Sequence, residues 1–309
     1  MDSFFCESDW IGILSGCLGR YFRQVYGEGV MGKRMNIALY VGMLENEFSY
    51  AVCEGAFLGA KELDANQKKK NINKINKFNE KLYHTVCERI EEGKIPLIIG
   101  GDHSIAIASC LASKKHNDNI GLVWFDAHAD FNTFETTITG NIHGLPFACI
   151  TGQNGNELSQ FFDGNFFDPK KCVLVGARSI DYPGEVNNLK KAGIHIFTTE
   201  DIQNLGVKKV FDEAIKIVTD GTEGFHFSID TDVMEPKEAP GVSVPEENGI
   251  SAQSFLEMIQ LFLNEKENIK SMDLVEYNPS YDKNHQTLKI IQNAMMMIIN
   301  SFENKSKEE

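Results

Sequence analysis

The chain has 309 residues, 42% of them hydrophobic and 24% charged, enough for one large or two ordinary globular domains. Its 44 acidic against 30 basic residues leave a formal net charge of −14, which argues against nonspecific binding to nucleic acid or to an anionic membrane and suits a cationic substrate. The seven Cys form no CxxC pair and no even framework, so they read as free buried thiols, with neither a zinc finger nor a disulfide scaffold.

The start, Met1 to Asp9, is acidic and lacks the basic stretch of a signal peptide. With no apolar run of about 18 residues, no membrane span is expected, and the expected location is the cytoplasm. Residues 61–81 are rich in Lys and Asn and read as a solvated helix start. A helical pattern follows at 71–92, then an apolar strand at 95–100 that runs into Gly100-Gly101-Asp102-His103-Ser104. A helix at 104–114 leads to a second strand, 120–126, which ends in Asp126-Ala127-His128-Ala129-Asp130. A polar loop, 132–139, opens into Gly140-Asn141-Ile142-His143-Gly144. Strands are predicted next at 171–176 and 194–198, and helices at 201–205 and 207–220. The strand 224–230 closes on Asp230-Thr231-Asp232, and the loop 234–249 behind it holds three of the eight prolines. A helix at 251–264, a strand at 271–276 ending in Glu276, and a helix at 284–302 complete the pattern, before a tail expected to fray.

Alternating strands and helices, with strands that read as continuous apolar runs, predict a parallel sheet covered on both faces. No repeat and no Pro/Gly/Ser linker divides the chain, so residues 1–309 read as one domain. In such sheets ligands bind beyond the C-terminal ends of the strands. Those ends carry two His and four Asp: His103, Asp126, His128, Asp130, Asp230 and Asp232. Extended Asp-x-His-x-Asp and Asp-x-Asp segments direct alternate side chains to one side. A carboxylate closing a buried strand needs compensation, and a metal is the simplest source. A lone Asp-x-Asp is usually a loop or a cap, and a lone His a core residue; their joint occurrence at strand ends points to a metal site. Carboxylates with two imidazoles fit manganese best, with Co, Ni or Fe as substitutes. Four carboxylates balance two divalent ions, which would acidify a bridging water.

The ordered clusters GGDHS, DAHAD, GNIHGLP, SIDTD and DLVEYNP resemble the arginase branch of the manganese-dependent ureohydrolases, over roughly residues 95–300. The resemblance implies a three-layer α/β/α fold around an eight-stranded parallel sheet, and a homotrimer. It implies an enzyme with two Mn2+ per subunit that hydrolyses L-arginine to L-ornithine and urea by a metal-bridging hydroxide. One ion would be held by His103, Asp126, Asp130 and Asp230, the other by Asp126, His128, Asp230 and Asp232. Asp130 would also aim the hydroxide. Glu276 would receive the guanidinium, since a carboxylate matches that planar fork. The resemblance casts His143 as proton shuttle, Asn132, Thr139 and Asn141 as partners of the α-carboxylate, and Asp181 with Glu185 near the α-amino group. The Gly140–Gly144 segment favours arginine over agmatine, which has no carboxylate.

Three features depart from the family pattern. Ser243 and Val244 stand where relatives carry Gly and Thr, and one lost hydrogen bond near the substrate costs about 1–2 kcal/mol. Gln253-Ser254 replace an Arg-Glu pair that commonly serves subunit contacts. The first 50 residues match poorly. Two alternatives therefore stay open: another ureohydrolase acting on agmatine or a guanidino acid, and a metal-bearing, non-catalytic homologue.

Overall fold

The computed structural model describes the backbone of residues 37–41 together with residues 71–180 and 183–303. The N-terminal features, the start of the Lys/Asn-rich stretch, Asp181 and the tail lie outside the described residues.

Seven strands form one parallel sheet: β1 (Ile37–Val41), β2 (Ile95–Ile99), β3 (Gly121–Phe125), β4 (Cys172–Ala177), β5 (His195–Thr198), β6 (Phe225–Asp230) and β7 (Ile269–Val275). Their order across the sheet is β1-β2-β7-β6-β3-β4-β5. The expected parallel α/β/α architecture is therefore present, with seven strands of its sheet among the described residues. The chain lays down β1 and β2, steps across to β3, β4 and β5, then returns to fill the middle with β6 and β7. That reversal of direction creates the crevice at which open parallel sheets bind ligands.

Strand alternation sorts the core into two layers. Leu97, Ile99, Val123, Phe125, Val173, Val175, Phe225, Phe227, Met272 and Leu274 point to one face. They pack against α5 (Thr199–Leu205), α6 (Val207–Thr219), α7 (Ala252–Leu263) and α8 (Gln286–Glu303). Ile98, Leu122, Trp124, Cys172, Leu174 and Val275 point to the other. There they meet α1 (Ile72–Glu91), α2 (Ala106–His116), α3 (Pro146–Ile150) and α4 (Pro183–Ala192). The predicted strands and long helices all occur, shifted by a few residues at their ends. The short α3 and α4 were not expected. α3 spans five residues, too few for a periodic pattern, and α4 buries only Glu185 and Leu189.

Gly100 and Gly101, at φ 90° and 82°, turn the chain sharply from β2 toward His103, a backbone that side chains with Cβ resist. At Gly176 (φ 95°) a Cβ would stand 2.4 Å from Val233 Cγ2, so β4 can pass beneath the 231–233 turn only without a side chain.

Candidate metal centre

The C-terminal ends of the four central strands, β2, β7, β6 and β3, bring the predicted ligands together. Asp102 caps the turn at His103–Ile105 by accepting the Ser104 N–H at 3.0 Å, which sets His103 directly above the sheet. Asp126 and Asp230 do the same for their own loops: Asp126 Oδ1 accepts the His128 N–H and Asp230 Oδ1 accepts the Asp232 N–H, each at 2.7 Å. Each Asp-x-His or Asp-x-Asp segment thus folds on its own carboxylate and leaves the second oxygen facing the crevice.

His103 Nδ1 lies 3.0 Å from Asp126 Oδ2, 3.1 Å from Asp130 Oδ2 and 3.1 Å from Asp230 Oδ2. His128 Nδ1 lies 3.0 Å from Asp232 Oδ2 and 3.6 Å from Asp126 Oδ1. Two donor clusters result, His103–Asp126–Asp230 and Asp126–His128–Asp232, with Asp126 in both. His103 Nδ1 is buried and makes no well-directed hydrogen bond, although three carboxylate oxygens surround it. Burial opposes a charge on His103, but without an ion those three carboxylates hold a proton on it and raise its imidazole well above the ordinary range. One imidazole nitrogen and three carboxylate oxygens converging on one point are also the donor set of a divalent cation, which would displace that proton, so these residues fit a metal. The electrostatics agree. Burial and the charges of Asp232 and Asp126 push Asp230 well above the usual carboxylate range. Burial and Asp126 push Asp130 up to about 6. Burial also opposes ionisation of Asp126, but the imidazoles of His103 and His128 hold its carboxyl below the usual range. So many buried carboxylates resist ionising together unless cations neutralise them.

Glu276 follows β7 in a left-handed backbone (φ 63°), and Asp130 likewise (φ 48°). Non-glycine residues held there are strained, a recurrent property of functional sites. Glu276 Oε1 accepts the His103 N–H at 2.8 Å and lies 3.3 Å from His143 Nδ1. Burial disfavours a charged His143, yet the Glu276 carboxylate prevails and raises its imidazole to about 9.

The segment carrying His143 closes back on the DAHAD loop, for Asn132 N–H donates to Gly144 O at 3.2 Å. Asn132 Oδ1 accepts from Thr136 Oγ1 at 3.1 Å, and Thr139 Oγ1 accepts the Asn141 N–H at 3.2 Å. Asn132, Thr139 and Asn141 thus belong to one knitted loop beside His143. Glu185, in the first turn of α4, accepts the Phe131 N–H at 2.9 Å, and burial with the nearby Asp130 raises it to about 7.

Several residues of this centre carried no sequence signal. Trp124 donates from Nε1 to Asp126 Oδ2 at 2.9 Å and stacks on the His103 ring, with centroids 4.0 Å apart. Strand alternation places Trp124 on Asp126's side of β3, but an apolar run hides its polar use. Glu246 Oε1 lies 3.5 Å from His128 Nε2 and accepts from Ser179 Oγ at 3.1 Å. Arg178 holds that loop in place, donating to the carbonyls of Asp232, Val233, Met234, Glu246 and Glu247. Ser243 Oγ accepts from Asn278 Nδ2 at 2.9 Å, which ties the divergent loop to the chain just beyond Glu276. Ser254 serves the N-terminus of α7, its N–H donating to Ser251 Oγ at 3.1 Å.

The profile of the Arginase family matches residues 41–300. An arginase of Bacillus subtilis (strain 168) is 41% identical over 221 residues, 71% of this chain and 73% of that protein. An arginase of Bacillus caldovelox is 37% identical over 225 residues, 72% of this chain and 74% of that one. Among solved structures, native B. caldovelox arginase superposes with a TM-score of 0.72 at 34% identity, covering 77% of this chain and 79% of that one. Entamoeba histolytica arginase in complex with L-ornithine gives 0.70 at 32% identity, covering 75% and 78%.

Proposed function

The chain belongs to the arginase family, and from that premise we propose that it hydrolyses L-arginine to L-ornithine and urea, with two Mn2+ held by the paired clusters. The observation that carries this reading is the pair of buried carboxylate–imidazole clusters sharing Asp126, with Glu276 beside them. His103, Asp126, Asp130 and Asp230 would hold one ion, and Asp126, His128, Asp230 and Asp232 the other. Bound there, the ions supply Lewis acidity and a water acidified to a nucleophile at neutral pH.

The chain's own residues supply the rest. Glu276 presents a buried negative charge to a planar guanidinium, whose fork it can accept through two parallel hydrogen bonds. Its Oε1 is anchored by the His103 N–H, so the carboxylate plane is set before substrate arrives. Asp130, besides serving as a ligand, would aim the nucleophile and take up its proton. His143, protonated at neutral pH beside Glu276, can donate to the departing amine. Asn132, Thr139 and Asn141 offer hydroxyl and amide groups to the α-carboxylate, and Glu185 with Asp181 offers carboxylates to the α-amino group. The whole chain acts as a single catalytic domain. It assembles as a homotrimer in the cytoplasm, without nucleic-acid or membrane partners. No helix among the described residues is long and apolar enough to cross a membrane.

The test is urea and ornithine release by the purified chain with added Mn2+, comparing arginine, agmatine and 4-guanidinobutyrate. Turnover should require the metal and favour arginine. A preference for either of the other substrates would assign the Ser243–Val244 loop to a different guanidino specificity. No turnover of any substrate by protein carrying two bound ions would leave the non-catalytic reading. Light scattering at micromolar concentration should give the mass of three chains, and a monomer would overturn the trimer.

A further inference from the structure

Below the metal-ligand cluster, the sheet face that packs on α2 carries a row of polar side chains that the proposed chemistry does not use. Alternation puts His226, Ser228 and Asp230 of β6 on that face, while Phe225, Phe227 and Ile229 point to the other. The register sets His226 beside Ser271 and Ser228 beside Asp273 of β7. His226, Ser228, Ser271 and Asp273 are all 0% exposed, so each must find partners inside the protein.

They do, and Asp273, a carboxylate that can only accept, fixes the direction of the bonds it makes. Asp273 Oδ2 accepts from Ser109 Oγ of α2 at 2.5 Å and faces His226 Nε2 at 2.9 Å. Asp273 Oδ1 accepts from Ser228 Oγ at 2.5 Å. The other nitrogen of His226 meets Ser271 Oγ. Ser228 Oγ also lies 2.9 Å from His103 Nε2. A hydroxyl has one proton, and Ser228 gives it to Asp273. Toward His103 it can therefore only accept, so His103 Nε2 must carry a ring proton. In the neutral imidazole that a metal requires, this leaves the lone pair on Nδ1, the atom that faces Asp126, Asp130 and Asp230. Cys110, His226 and Asp273 also lie close enough together to suggest a third ion site. With three donors already on Asp273 and both His226 nitrogens partnered, that group is a closed hydrogen-bond network.

We propose that Asp273, acting through Ser228, is a positioning residue that fixes the tautomer and ring orientation of His103 so that Nδ1 is a ready metal donor. The inference rests on the metal-binding reading of the cluster. Outer partners of metal-ligating histidines commonly set tautomer and ligand strength in this way, usually through direct contact with a carboxylate or carbonyl. Here the carboxylate acts at one remove, through a serine.

The decisive variants are Ser228→Ala, Ser228→Thr and Asp273→Asn in the full chain. In Asp273→Asn the amide oxygen is drawn to the Oδ2 position, which faces two donors, and the NH2 group takes the Oδ1 position. It would then donate to Ser228, turn the hydroxyl toward His103 and move the ring proton to Nδ1. Mn2+ titration followed by the electron paramagnetic resonance signal of free Mn2+ should show two ions on the wild-type chain. Ser228→Ala should weaken one of them by about 10–100-fold, and Asp273→Asn at least as much. Ser228→Thr, which keeps the hydroxyl, should stay near wild type. Metal-free melting temperatures should change far less than the metal affinity. Unchanged affinity for both ions in Ser228→Ala and Asp273→Asn, with wild type binding two, overturns this inference alone. A loss of affinity no larger than the accompanying fall in metal-free stability also overturns it, because it marks a merely structural role. A wild-type chain that binds no Mn2+ overturns the metal reading and this inference with it.

Discussion

Glu276→Gln keeps the size of the side chain and removes its charge, and the structure dictates how the amide must sit. Oε1 accepts the backbone N–H of His103 at 2.8 Å in a site where Glu276 is 7% exposed. That N–H has no water to turn to, so the amide oxygen must take the Oε1 position. The NH2 group then occupies the place of Oε2 and points a donor where the guanidinium also presents donors. The charge-assisted bond at Oε2 is exchanged for a donor–donor contact and the bond at Oε1 loses its charge assistance, changes together worth about 3–6 kcal/mol. The loss of about 3–6 kcal/mol corresponds to roughly 10²–10⁴-fold in kcat/KM for arginine. Steady-state urea release at saturating Mn2+ measures it, alongside the metal content of the variant. Part of the loss should appear in KM, because Glu276 meets the substrate before the transition state. A variant with unchanged metal content and kcat/KM within tenfold of wild type would refute the placing of the guanidinium on Glu276.

Three further outcomes are expected. His143→Ala should retain both ions and lose roughly 10²–10⁴-fold in kcat, read at saturating arginine; near-native turnover would remove the proton-transfer role. Glu185, raised from 4.5 to about 7 chiefly by burial, holds its proton more tightly in the folded chain than in the unfolded one. Its contribution to stability is therefore complete below pH 4.5 and lost as pH rises through 7. In the metal-free protein, Glu185→Gln should thus gain on wild type between pH 5 and pH 8, by up to about 3 kcal/mol in urea denaturation; parallel curves for the two proteins would contradict the burial argument. Gly176→Ala forces a side chain into a left-handed backbone and a methyl against Val233, and chemical denaturation should show a loss of roughly 2–4 kcal/mol.

Much of the fold was legible in the sequence. The buried strands read as apolar runs because both faces of the sheet are covered, and their terminal acids stood out because a carboxylate closing a buried strand needs compensation. Glu276 was read from the family resemblance. The short α3 was not, since five residues cannot express a helical period. α4 hid because its buried face is Glu185 and Leu189 alone, so its hydrophobic pattern is nearly blank. Trp124 was hidden by its own hydrophobicity, its indole N–H being the one polar atom in an apolar strand. Glu246 sits in a polar loop where one more acid attracts no notice. It reaches His128 only because Arg178, about seventy residues earlier, gathers the loop by its carbonyls. His226, Ser228 and Asp273 drew no attention inside their strands. Their pairing across β6 and β7 is a matter of register, which one-dimensional patterning does not fix.

The order of the strands also dictates when during synthesis this centre can exist. β6 and β7 are the last strands of the described chain, yet they occupy the middle of the sheet, between β2 and β3. In the finished sheet β6 and β7 separate β2 from β3, so His103 and Asp126 follow strands that have two others between them. Only when residues 225–275 insert do both donor clusters form, along with the seat for Glu276. Such late, long-range pairing carries a large loop-closure cost and makes for slow folding. It also means that each donor cluster lacks a member, Asp230 or Asp232, until the last strands are in place.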